Sequence, residues 1–171
     1  ADDIAVFATA ESGVGARVAT YRSNGSGKIA DPEMVWSTST ATWNSGLLAV
    51  MSGSVNAATD DPRRHPDTGQ TGVGFGDFVA LRQLTGDGTW VASAFMAEPF
   101  TTELAAPITI ATPTEPTRFV KASPALVDVD ADGDDDLVIL YIDTSGVSVW
   151  LYRNDGGAFA AEELVWTRTD L

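Results

Sequence analysis

The residues of this chain best suited to chemistry are Asp128, Asp130, Asp132, Asp134 and Asp136, interleaved with Val129, Ala131, Gly133 and Asp135. Carboxylates this dense repel one another unless a divalent cation holds them together. Counted from Asp128, carboxylates fall at the first, third and fifth places, a glycine for a sharp bend at the sixth, and a further aspartate at the ninth. This is the spacing of an all-oxygen calcium site. Asp128, Asp130, Asp132 and Asp136 would supply carboxylate oxygens and Asp134 its backbone carbonyl. Magnesium fits less well, because it demands a tighter octahedron and releases its waters reluctantly. A merely solvated acidic turn would not need the glycine and the aspartates in phase.

The flanks of this loop decide what kind of site it is. An EF-hand carries a bidentate glutamate at the twelfth place and a helix on each side, whereas Ile139 stands at that place here. Residues 124–127 and 137–141 are short apolar runs rich in β-branched and aromatic side chains, and they read as buried strands. The loop therefore joins two strands. Over residues 125–138 the chain resembles the FG-GAP/VCBS repeats of integrin-like β-propellers, matching their D-x-D/N-x-D-G-x-x-D-L pattern throughout. The resemblance implies a calcium loop between the first and second strands of a blade, enclosed and structural in role. It also implies an all-β fold of four-stranded antiparallel blades.

Internal repeats support this. Residues 3–7 parallel residues 136–140, and each run is followed by a turn, Ser12, Gly13 and Val14 against Ser145, Gly146 and Val147. Strands ending at Tyr21 and Tyr152 come next, then glycine-containing hairpin turns, and closing strands at Met34, Val35 and Trp36 or Leu164, Val165 and Trp166. A degenerate middle copy aligns residues 76–81 with 135–140, with residues 47–51 as its first strand, 89–96 as its third and 107–112 as its last. A competing register makes residues 47–55 its second strand and 78–83 its third. The expected organisation is blade a over residues 1–43, lacking its first strand, blade b over 44–117 with an insertion at 56–74, and blade c over 118–171. Propellers need about four to eight blades to close. The expectation is thus a partial propeller, completed by further blades or by a second copy in a homodimer.

Composition excludes several functions. The net charge of −14, with Lys28 and Lys121 as the only lysines, repels nucleic acid and anionic membranes. No apolar run reaches the roughly 18–20 residues of a membrane span. Cysteine is absent, so neither disulfides nor thiol chemistry enter. A weak calcium site favours an extracellular location, secreted or on the cell surface, where the ion is plentiful. The insertion holds Asp60, Arg64 and the lone histidine, His65, which are candidate ligand contacts set against a solvated loop. Among the tryptophans, Trp36 and Trp166 share one repeat position and read as packing, while Trp43 and Trp90 lie near turns and are the candidate binding platforms. No nucleophile, zinc or phosphate-loop motif is present, and the glutamates form no pair, so catalysis is not expected. The resemblance implies a calcium-stabilised adhesion or lectin-like module that recognises a glycan or an extracellular protein. The alternative is a non-catalytic, substrate-binding part of a secreted polysaccharide-degrading enzyme.

Overall fold

A computed structural model describes residues 4–9, 15–21, 31–39, 47–53, 55, 77–83, 89–96, 106–113, 119 and 121–169. These residues build an all-β fold of antiparallel sheets. The first sheet has three strands in chain order, β1 (Ile4–Thr9), β2 (Ala16–Tyr21) and β3 (Glu33–Thr38). The second has four, β4 (Leu47–Gly53), β5 (Asp77–Gln83), β6 (Trp90–Phe95) and β7 (Ile108–Ala111). The third runs β8 (Ala122–Val127), β9 (Asp136–Asp143), β10 (Gly146–Tyr152) and, after a two-residue ladder of β11 (Asn154–Asp155) with β12 (Ala158–Phe159), β13 (Glu163–Arg168). In the second sheet β4 is an edge strand paired only with β5, which is the first-strand register and not the competing one.

The three larger sheets repeat one unit down to its irregularities. Each carries a β-bulge at the same level of its last strand, where Val35, Ile110 or Val165 is the extra residue opposite the steps Val18 to Ala19, Ala92 to Ser93 and Val149 to Trp150. A bulge adds one unpaired residue and sharpens the local twist, so its recurrence gives the three sheets the same bend. The pairing also shifts one repeat correspondence. Phe7 pairs with Val18 as Leu140 pairs with Val149, which puts Gly15, not Gly13, in the place of Gly146. Both glycines have positive φ, and a side chain at either would strike the carbonyl of Thr38 or Arg168 on the closing strand. Five residues separate the end of β1 from Gly15, against two between the end of β9 and Gly146.

The middle sheet is covered on both faces. Every residue of β5 from Asp77 to Arg82 is buried, and its alternating side chains serve two separate cores. Phe78 and Ala80 join Phe95 against Phe7, Val18 and Trp36 of the first sheet. Val79 and Leu81 join Ala92 and Ala111 against Leu137, Ile139 and Tyr152 of the third. The first core is aromatic: Phe95 stacks on Phe78 at 4.4 Å between ring centroids and meets Trp36 edge-on at 5.0 Å. Since Phe95 is fully buried at the centre of that cluster, Phe95→Ala is expected to lower stability by about 3–5 kcal/mol. Urea unfolding would read this as a shifted midpoint at unchanged slope.

Candidate metal centre

β8 delivers the chain to the acidic loop and β9 receives it, with Val127 and Asp136 as the last cross-strand pair. The turn is organised by its own side chains. Asp128 accepts N–H groups from Ala131 at 2.7 Å and from Gly133 at 3.2 Å, and Asp132 accepts that of Asp134 at 2.9 Å. Two residues lie in left-handed space, Ala131 at φ 65° and Gly133 at φ 100°. Glycine meets this demand at the sharper bend without steric penalty. The coil that results brings oxygens of Asp128, Asp130 and Asp132 to within 4.8 Å of one another at the surface. Oxygens around a calcium ion with bonds of about 2.3–2.6 Å stand up to about 5 Å apart, so the donor set and its spread fit this ion.

The other two predicted ligands are used differently. Asp136 is fully buried, and its oxygens accept the backbone N–H of Val129 at 3.1 Å and of Asn154 at 2.7 Å. Asp134 accepts the N–H of Gly156 at 2.7 Å. Both carboxylates thus tie the loop to its own stem and to the β11–β12 ladder. A cation stands beside the cluster: Arg153 lies 3.3 Å from Asp130 and 3.6 Å from Glu163. Its guanidinium competes with a metal ion for the Asp130 carboxylate.

Of the predicted ligand contacts, Trp90 is half-buried and packs on the core between the second and third sheets, so nearness to a turn did not leave it open. Trp43, Asp60, Arg64 and His65 lie outside the described residues. The structure adds a site that the sequence reading missed, a polar concavity of about 240 Å³ at the far end of the β9–β10 hairpin. Tyr141, Asp143, Ser145, Ser148, Trp150 and Thr167 contribute to its lining. There the hydroxyl and backbone N–H of Ser145 hydrogen-bond to Asp143, and these bonds hold its carboxyl below the usual carboxylate range. The Trp150 indole N–H donates to Ser148 at 2.9 Å. The Asp-Thr-Ser-Gly turn was the available signal, since aspartate and serine at such positions bond to their own backbone.

No family model matches this chain, and no curated protein or solved structure matches it.

Two substitutions separate loop architecture from ion binding. Asp136→Asn turns one buried acceptor into a donor facing an N–H group, and is expected to destabilise the calcium-free chain by about 1–3 kcal/mol in urea. Arg153→Ala removes an exposed competitor and is expected to tighten calcium binding about two- to fivefold by calorimetry, the scale of a surface ion pair.

Proposed function

We propose that this chain is part of a calcium-stabilised β-propeller of the FG-GAP/VCBS kind, acting outside the cell as a binding module for a glycan or a protein surface. The observation that carries the reading is the convergence of Asp128, Asp130 and Asp132 in a loop between the first and second strands of a four-stranded sheet. The recurrence of that sheet, bulge included, supports the propeller. An ion bound here crosslinks the ends of β8 and β9 and stabilises the folded state because the unfolded chain offers no such cage.

The metal and the ligand surface are separate. The acidic loop precedes Asp136 and the concavity surrounds Asp143, at opposite ends of β9. Seven residue steps of extended chain put them about 24 Å apart. Calcium therefore acts as a fastening and does not bridge to the ligand. The concavity combines an aromatic wall with hydroxyls and a fixed carboxylate, a set of groups that matches the hydroxyls and apolar ring faces of a sugar. The hydrogen bonds from Ser145 hold the Asp143 carboxyl below the usual carboxylate range, which suits accepting hydroxyl protons and disfavours proton donation.

Calorimetric titration of the chelator-stripped chain is the decisive measurement. One calcium per chain is expected, with stability rising about 2.7 kcal/mol at a hundredfold excess over Kd. Asp132→Ala should abolish the heat, and full binding by that variant would refute the site. On a glycan array, Asp143→Ala is expected to lose the signal of the parent chain while keeping its calcium heat.

A further inference from the structure

Three ladders cross the larger sheets at one level, each ending beside the bulge: Phe7–Val18–Trp36, Leu81–Ala92–Ala111 and Leu140–Val149–Trp166. They mark the front of each sheet. The back is marked by the ladders Val6–Ala19–Met34, Ala80–Ser93–Thr109 and Ile139–Trp150–Leu164. The front of the first sheet packs on the back of the second, and the front of the second on the back of the third. One packing operation thus occurs twice. Among the described residues it leaves the front of the third sheet, apart from buried Leu151, and the back of the first without a sheet packed on them. Trp166, the counterpart of buried-side Trp36, is 49% exposed, while Val6 and Met34 are 39% and 50% exposed.

We propose that the front of the third sheet docks on the back of the first sheet of a second copy of this chain. The contact continues an interface that the molecule already builds twice, and its two faces are the matching halves of that interface. The marker residues of both faces carry no charge, and they are flanked by Arg17 on the back of the first sheet and by Glu163 and Arg168 on the front of the third. Within the chain Trp36 meets Phe95 edge-on, and Phe95 pairs with Phe78 as Tyr21 pairs with Ile4. The same operation between copies sets Trp166 of one against Tyr21 of the other. Two copies meet in this way twice and bring six larger sheets into one ring, within the range of about four to eight that closes a propeller. A head-to-tail contact that closes leaves neither face open, whereas one that does not close would grow into filaments. The proposal rests on the repeated-sheet part of the functional reading and not on the metal, so failure of the calcium site leaves it standing.

Sedimentation velocity of the whole chain in chelator is expected to give twice the 17.9 kDa chain mass. Added salt should tighten the association by screening the acidic copies. Trp166→Glu should weaken it by about 30-fold or more, the loss typical of an aromatic anchor. Because Trp166 is half-exposed within one chain, an unchanged urea midpoint at monomer concentrations would establish that the variant folds. The chain has no cysteine, so Trp166→Cys and Tyr21→Cys chains can be mixed and oxidised. The mixture should crosslink and each variant alone should not. A wild-type monomer, an unchanged mass for Trp166→Glu, or self-crosslinking of Trp166→Cys would overturn the proposal.

Discussion

The fold of the third sheet hangs on the buried carboxylate of Asp136. It sits at the head of β9 and collects the N–H of Val129, where β8 has just ended, and that of Asn154, where β10 has just ended. One side chain thus fixes the exits of both neighbouring strands. Hydrogen bonds to a carboxylate contribute about 1.5–3 kcal/mol each, and at a buried acceptor the loss of a partner is dearer than its gain. Asp77 does the same in the second sheet, accepting the N–H of Val55 two residues past the end of β4. The second sheet therefore keeps the loop-closing aspartate although the acidic triad has gone from its sequence. Closure of the first strand onto the second comes from the carboxylate, and the acidic triad of Asp128, Asp130 and Asp132 is an addition to it.

The repeated bulge has a parallel consequence. A sheet whose last strand bends at one fixed level presents the same curved front and the same curved back each time. Side chains can then differ widely while the packing operation stays the same: a junction of Phe7, Trp36, Phe78 and Phe95 lies beside a mixed one of Leu81, Leu137, Ile139 and Tyr152. In the second seam the small Ala92, Ala94 and Ala111 of one face share the core with the larger Leu137, Ile139 and Tyr152 of the other. That is how close packing is kept without repeating the sequence.

Much of this was legible in the chain. Strand positions followed from short apolar runs between turn residues, and the acidic loop from its phase. The middle sheet was readable because residues 76–81 keep the aspartate followed by an apolar run of residues 135–140 despite the long insertion. Three things were not legible, each for a physical reason. Spacing does not show which other bonds an aspartate's oxygens make, so the bracing of Val129 and Asn154 by Asp136 was not read. Repeat position cannot report environment, so Trp36 and Trp166 read alike although one fills a seam and the other faces outward. The face taken by Trp150 follows from its pairing with Ile139 in the regular β9–β10 ladder, and an alternating run does not by itself say which face meets a neighbouring sheet.

The acidic loop does more than join two strands, because it lies on the seam between the second and third sheets. Asn154 donates from its side-chain amide both to the carbonyl of Val55, at 2.6 Å, and to that of Asp135, at 3.1 Å. Gly53, at the end of β4, is approached so closely by the Asp135 carboxylate and by Leu126 that a Cβ there has no room. The loop is thus pressed against the neighbouring sheet through Asp135, while its stem is tied to that sheet through Asn154. Any cation that orders residues 128–136 also restrains Asp135, and through it the contact with Gly53. Ordering of the loop is thus transmitted to the seam, so the second sheet shares in whatever stabilises residues 128–136.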